Sequence, residues 1–279
     1  MSARTFSDRL YGGRHFPQEI IVLGVRWYVT YRLSYRDRVD MMAERGVYVA
    51  HSTILRWVLR YVPEFVKRWD RHRRPVGCSW RADETYIQIK GIWHYLYRAV
   101  DKRGRTVDFY LSETRDIGAA MAFFRKALAN HPNKPPRKIT VDGYEATHRA
   151  LRLLRRRNPT WRRVIVRSCQ YLNNIVEQDH RAIKRRVAPM LGFKTFRTAA
   201  TTLMGIELAH RIRKNQFLIG FRRGRRYGSL AGAWALALML NDFGVRSRRI
   251  PEFEIAPEPQ FQHRKHAHPV IARPSCGST

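Results

Sequence analysis

The order of strand and helix patterns between residues 79 and 186 limits the fold more than any other feature of the sequence. Three segments with alternating or short apolar runs come first, at 79–91, 93–101 and 105–114. Such patterns are typical of β-strands, and their short connections favour antiparallel pairing. Helical and strand patterns then alternate, as helix 116–131, strand 138–143, helix 144–157, strand 163–168 and helix 173–186.

This order predicts an α/β fold in which helices cover both faces of a mixed sheet. The same order is found in ribonuclease H-like folds. In an open sheet, ligands bind beyond the carboxyl ends of the strands. Residues at the end of the fourth strand pattern, 138–143, are therefore well placed for chemistry.

Three helical patterns precede the sheet, at 17–31, 34–46 and 52–62. Ser34 is a suitable N-cap, and we expect the third helix to start at Ser52 and to end before Pro63. Two short helices separated by GVYVAH, with another helix before them, have the layout of a helix-turn-helix module. The third helix is predicted to expose a face that suits a DNA major groove, with an ordinary solvated basic face as the alternative. The residues of this face are Thr53, Arg56, Trp57 and Arg60.

These patterns divide the chain into four parts. A small all-α helix-turn-helix domain is expected at 1–69, a basic linker at 70–77 and a ribonuclease H-like catalytic domain at 78–217. Residues 218–279 are expected to form a C-terminal helix followed by a flexible tail, because the last segment is basic and rich in proline.

The charge of the chain points to a polyanionic partner. Its 54 Lys and Arg residues outnumber its 22 Asp and Glu residues, which gives a formal net charge of +32. Nucleic acid is the leading partner, and an anionic membrane surface is the alternative. The longest uncharged apolar run, 230–240, has 11 residues, whereas about 20 are needed to cross a bilayer. We therefore expect no membrane partner.

The three cysteines, Cys78, Cys169 and Cys276, are too far apart to suggest a disulfide framework or a zinc site. We interpret them as reduced thiols, which are typical of cytoplasmic proteins. Together with the absence of an apolar segment at the N-terminus, this predicts a cytoplasmic protein associated with the nucleoid.

Three acidic residues occupy positions that suit metal binding. Asp83 lies in the first strand pattern, Asp142 ends the fourth, and Glu177 lies in the last helix pattern. Each has a plainer explanation: an edge-strand charge, a turn residue and an ion pair with Arg181, respectively. As a set they are more specific, because hard divalent cations require carboxylate ligands.

The segments WRADETYIQIKG, ITVDGYEA and NNIVEQDHRAIKRR resemble the three acidic motifs of DDE transposases, most closely those of the bacterial family named for insertion sequence six. Asp142 and Glu177 are separated by 34 residues, as in that family, and Lys184 matches its basic position. The later segment LMGIELAHRIRKNQF is also similar. The resemblance extends from about Pro17 to Phe217.

The resemblance implies a DNA transposase that binds the terminal inverted repeats of an insertion sequence, cleaves the 3′ ends and transfers them to target DNA. It implies two Mg²⁺ ions, with Mn²⁺ as a substitute, held by Asp83 between them and by Asp142 and Glu177 on either side. Lys184 would contact DNA, and Arg181 would either contact DNA or support Glu177. The partners would be double-stranded DNA, as element ends and target, and a second copy of the chain in a homodimer or larger oligomer.

Two other functions fit parts of this pattern. A ribonuclease H-like nuclease would cut DNA without joining it. A helix-turn-helix regulator would bind DNA without any chemistry, but it has no need for three acids at this spacing.

Overall fold

The computed structural model describes residues 9–13, 15–132, 134–169, 174–190 and 192–218, together with 232 and 234. The five strands are β1 (Ser79–Ile89), β2 (Ile92–Asp101), β3 (Thr106–Ser112), β4 (Lys138–Val141) and β5 (Ile165–Ser168). The α-helices are α1 (Gln18–Thr30), α2 (Tyr35–Ala43), α3 (His51–Asp70), α4 (Ile117–Ala129), α5 (Glu145–Arg157), α6 (Pro159–Arg162), α7 (Asn174–Val187) and α8 (Phe196–Arg213).

The strands form one mixed sheet in the order β3-β2-β1-β4-β5. The pairs β1–β2 and β2–β3 are antiparallel, and the pairs β1–β4 and β4–β5 are parallel. Lys90 and Gly91 join β1 to β2 with positive φ angles of 50° and 79°, as a tight two-residue hairpin requires. The predicted fold class, a ribonuclease H-like α/β sheet, is confirmed.

The sheet has a separate hydrophobic core on each face, because side chains alternate along a strand. In β2, Leu96 packs into one core and its neighbour Tyr97 into the other. The Tyr97 core is closed by α4 and α5, whose Phe123 and Leu151 are almost fully buried. The Leu96 core is closed by α7, α8 and the N-terminal helices. Helices therefore cover both faces, as the sequence predicts.

The N-terminal helices share this second core with α8. Helix α2 begins at the predicted N-cap Ser34, where a reciprocal capping box with Asp37 holds the first turn. Among the described helices, none is both long and apolar enough to cross a lipid bilayer. Apart from Leu218, Gly232 and Trp234, the predicted C-terminal helix and tail lie outside the described residues.

The predicted end of the third helix is wrong, because α3 continues through Pro63 to Asp70. A proline inside a helix removes one backbone hydrogen bond and costs about 3 kcal/mol. The extra turns bury Phe65 and Trp69 completely, and the Trp69 ring packs edge-on against Phe217 at 4.7 Å. Burial of two large aromatic side chains, at about 1.5–3 kcal/mol each, offsets the proline.

Helix α8 approaches α1 and α3 closely at Gly205. A Cβ atom on this residue would lie 2.6 Å from Val29 Cγ1 and 3.1 Å from Val62 Cγ2, whose backbones belong to the two facing helices. Glycine is therefore required here for packing, although it weakens a helix interior.

We predict that Gly205→Ala destabilises the protein by about 1–3 kcal/mol, because overpacking outweighs the helix propensity of about 1 kcal/mol that alanine gains. Urea unfolding followed by circular dichroism measures the change. Gly143→Ala is the matched control, since a Cβ atom there meets nothing within 4 Å and its φ is not positive. Equal stability of the two variants would contradict the prediction.

Candidate active site

Asp83 and Asp142 meet where β4 ends. Strands β1 and β4 pair in parallel from Ser79 with Lys138 to Arg81 with Thr140. Extending this register by two residues aligns Asp83 with Asp142, which directly follows β4. Carboxylate oxygens of Asp83, Asp142 and Glu84 all lie within 4.8 Å of one another. The structure therefore brings two of the three predicted acids together and adds Glu84.

Asp83 and Glu84 leave β1 towards opposite faces of the sheet, as successive strand residues do. On one face, the Asp83 Oδ2 atom lies 3.8 Å from Nδ1 of the buried His180 in α7. Burial and the nearby Arg98 lower the pKa of His180 to about 3, so this imidazole is neutral. On the other face, Glu84 contacts Arg115.

Arg115 is a residue of this site that the sequence reasoning missed. Its Nε atom donates to Glu84 Oε1 at 2.7 Å, and its Nη2 atom lies 3.9 Å from Asp142 Oδ2. The guanidinium stacks 3.7 Å above the ring of Tyr144, whose hydroxyl donates to the Arg115 carbonyl at 2.8 Å. The strand order could have revealed it, because residues after β3 lie at the same edge as residues after β4. Arg115 thus partly neutralises the acidic cluster.

Burial, followed by the charges of Glu84 and Asp142, raises the pKa of Asp83 from 3.8 to about 7. Burial also raises the pKa of Glu84, against the opposing effect of Arg115. Carboxylates that are held together against their own repulsion suit a divalent cation, which stabilises their ionised forms. The donor set at this edge, all carboxylate oxygen, is the one that Mg²⁺ or Mn²⁺ prefers.

Glu177 lies in the first turn of α7 and is exposed. Glu177 is not among the three acids whose carboxylate oxygens lie within 4.8 Å of one another. Its charge nevertheless helps to raise the pKa of Asp83, with a smaller effect than burial, Glu84 and Asp142. Among the described residues, no ion pair joins Glu177 to Arg181. Arg181 and Lys184 are exposed one and two turns further along the helix, on the Glu177 side.

A buried network of charges fixes α7 against the sheet. The fully buried Arg98 of β2 donates through Nη2 to Asp179 of α7 at 3.2 Å and to Glu207 of α8 at 3.0 Å. The Nζ atom of Lys214 donates to both carboxylate oxygens of Asp179, at 2.7 and 2.6 Å. The position of Glu177 therefore depends on ion pairs two residues further along its own helix.

The predicted DNA-reading face of α3 is only partly exposed. Arg56 and Arg60 are exposed and Thr53 is half-buried, with Arg56 Nη2 donating to Thr53 Oγ1 at 3.1 Å. The expected exposure of Trp57 is wrong, because this side chain is only 8% exposed. Its ring packs edge-on against Phe16, and a Cβ atom on Gly24 of α1 would lie only 3.1 Å from it, since the apolar stripe of α3 is wider than the sequence suggested.

Comparison with known proteins identifies the family of the chain. The model of a transposase family, described as a DDE domain, matches residues 77–216. The transposase for the insertion sequence-like element IS431mec of Staphylococcus aureus strain Mu50 is 38% identical over 201 residues, which cover 72% of this chain and 87% of the relative. The transposase for the insertion sequence element IS257 in transposon Tn4003, also from S. aureus, is 37% identical over the same length.

A more distant similarity concerns a solved structure. The catalytic core domain of the HTLV-2 integrase in complex with magnesium is 13% identical and aligns with 48% of this chain and 86% of its own length. The TM-score of this alignment is 0.36.

The raised pKa of Asp83 predicts how the metal-free protein responds to pH. Since the folded-state pKa of about 7 exceeds the ordinary value of 3.8, the folded protein keeps a proton in this interval that the unfolded chain releases. The resulting stabilisation is complete below the ordinary pKa and is lost as the pH rises through the folded-state pKa. We therefore expect the wild type to lose stability relative to Asp83→Asn between about pH 4 and pH 7.

Urea unfolding in the presence of EDTA across this pH range measures the difference between the two proteins. Above the folded-state pKa the difference should become constant, and added Mg²⁺ should stabilise the wild type more than Asp83→Asn. Parallel stability curves throughout the range would show that Asp83 titrates normally.

Proposed function

This chain belongs to the insertion-sequence-six family of DDE transposases, and we propose that it binds the inverted repeats of its own element, cleaves their 3′ ends and transfers them to target DNA. The observation that carries the proposal is the meeting of Asp83 and Asp142 at the end of β4. Within a DDE domain, such carboxylates at a sheet edge favour phosphodiester chemistry assisted by divalent metal ions.

Asp83, Asp142 and Glu177 are the residues that would hold two such ions. Divalent cations held there would supply the Lewis acidity that lowers the pKa of an attacking water or 3′ hydroxyl and offsets the charge of the leaving oxygen. Asp83 is central to this set, because its carboxylate lies within 4.8 Å of that of Asp142 and the charges of Asp142 and Glu177 both add to its raised pKa after burial and Glu84. Glu84 fits a supporting role, since its Oε1 atom already accepts from Arg115.

The basic residues of α7 would place the DNA strand. Lys184 lies on the same side of the helix as Glu177, where its ammonium group would bind a phosphate near the acidic site. Arg181 lies between them and is free of Glu177, which favours its role in DNA contact over support of that carboxylate. The separate exposed pair Arg56 and Arg60 would read the element ends.

Two element ends must be joined to one target, so at least two active sites are needed. We therefore propose a homodimer or a larger symmetric oligomer as the active form. Detection of joined products, as opposed to cut strands alone, distinguishes a transposase from a nuclease of similar fold.

We predict that Asp83→Asn, Asp142→Asn and Glu177→Gln each reduce strand transfer by several orders of magnitude while leaving DNA affinity nearly unchanged. Each change removes a metal ligand but none of the basic side chains that bind phosphate. The measurement is Mg²⁺-dependent joining of pre-cleaved ends, beside a gel-shift titration.

Glu145→Gln is the matched control for these variants. Glu145 is a carboxylate three residues from Asp142, but its side chain is 73% exposed and pairs with Arg152. It should keep wild-type joining. Near wild-type joining by any of the three acidic variants would remove that residue from the proposed metal site.

We also predict that Arg56→Ala combined with Arg60→Ala lowers the preference for element ends over scrambled duplex. Loss of an arginine that reads a nucleobase costs about 1–3 kcal/mol of discrimination, whereas nonspecific affinity depends on the many other basic side chains. Competition binding at fixed salt measures the preference.

The control is Arg155→Ala combined with Arg156→Ala, which removes two exposed arginines from α5. This control should weaken binding to both duplexes by the same factor. A double variant of α3 with the full wild-type preference would show that this helix does not read the ends.

A further inference from the structure

Aromatic side chains are gathered on the surface of the β1–β2 hairpin. Tyr86 is 43% exposed and Trp93 is 58% exposed, and Tyr95 is half-buried beside them. The Tyr86 ring centroid lies 6.2 Å from that of Trp93 and 5.4 Å from that of Tyr95. Ile92, at the start of β2, is 65% exposed. Contiguous exposed apolar groups of this kind usually mark a binding surface.

These rings border an open cleft of about 660 Å³ between the hairpin and the end of α7. Its walls include Tyr86, Trp93 and Tyr95 on one side and Lys184 and Val187 on the other. The volume is within the usual range of small-molecule sites, and the lining is mainly apolar with one cation. Flat rings with a single ammonium group suit a planar aromatic ligand that is attached to an anion.

The cleft lies beside the acidic site. Tyr86 follows Asp83 by three residues in β1, a distance of about 10 Å, or about three base steps of a DNA strand. Lys184 follows Glu177 by two helical turns, a similar distance in the same direction. Tyr86 also lies near Arg115. Burial lowers the pKa of the Arg115 guanidinium, but Glu84 and, to a smaller extent, Tyr86 raise it, and the net shift is upward.

We propose that this cleft holds an unpaired base of the DNA strand whose phosphate lies at the acidic site. The base would stack on the more exposed Trp93 and meet the nearly perpendicular Tyr86 ring edge-on, while Lys184 binds the adjoining phosphate. The assignment rests on the proposed function. Every base offers a flat face, so stacking of this kind needs no particular sequence. A purely apolar partner would not use Lys184, and a folded duplex would keep its bases inside the helix.

The consequence is that an end with unpaired nucleotides binds better than a fully paired end. The test uses the full chain in EDTA, so that no strand is cut. The probes are two duplexes with the same element end, one blunt and one with a short unpaired tail that contains 2-aminopurine. We expect wild type to bind the tailed duplex roughly tenfold more tightly and to quench the 2-aminopurine fluorescence on binding.

Trp93→Ala and Tyr86→Ala should lose both the preference and the quenching, while their affinity for the blunt duplex stays at the wild-type value. Trp93→Phe should keep most of the preference, because it keeps an aromatic face. The matched control is Tyr31→Ala, which removes a tyrosine of similar exposure, 41%, from a site between α1 and α2. It should behave as wild type.

Equal wild-type affinity for the two duplexes would overturn the inference, even if the protein joins ends in Mg²⁺ and the proposed function stands. If Trp93→Ala lost affinity for the blunt and the tailed duplex by the same factor, the inference would be overturned as well. A change of molar mass in light scattering for Trp93→Ala would assign the cleft to contact between protein chains instead. Failure of wild type to join ends in Mg²⁺, with the tail preference intact, would contradict the proposed function and leave the base-binding cleft in place.

Discussion

The pairing of β1 with β4 stops after three residue pairs, and the site depends on that early stop. Had β4 continued, Asp142 would be a strand residue whose backbone is held in the ladder. Instead it follows the last paired residues, and its Oδ1 atom accepts from the Tyr144 backbone at 3.1 Å in a tight turn. Its carboxylate therefore lies beside that of Asp83 at an open sheet edge. Burial there, together with repulsion from the like charges of Glu84 and Asp142, raises the pKa of Asp83.

The surrounding structure holds these charges in place. On one face Arg115 is held by Glu84 and by stacking on Tyr144, so its charge partly balances the acids. On the other face, the network below α7 contains two cations, Arg98 and Lys214, and two anions, Asp179 and Glu207. Balanced and hydrogen-bonded charges can be buried, whereas removal of one partner leaves a costly buried charge. The position of α7 is therefore fixed by this buried network and not by contacts at the surface.

The periodic patterns predicted the strands and the major helices, and strand order placed Asp142 at the edge where ligands bind. The grouping of Asp83 with Asp142 was implied by the resemblance to the transposase motifs. The sequence did not predict Glu84 in the cluster. Alternation places Glu84 and Asp83 on opposite faces, but at the sheet edge both carboxylates can approach Asp142. It also missed the continuation of α3 past Pro63 and the burial of Trp57. The proline predicted a helix end, and the apolar residues predicted a narrower buried face, but tertiary packing outweighed both local signals.

Charge acts on a DNA strand in two opposite ways in this molecule. The chain as a whole carries a net charge of +32, which attracts the phosphate backbone from a distance. At the end of β4, however, the carboxylates of Asp83, Asp142 and Glu84 would repel the phosphate that has to react. Cations held by the acids, as we propose, would reverse this local repulsion. Metal binding and close approach of the scissile phosphate are then coupled, and each strengthens the other. On this proposal the basic surface would hold DNA, and only the neutralised acidic site would bring a phosphate into reach of attack.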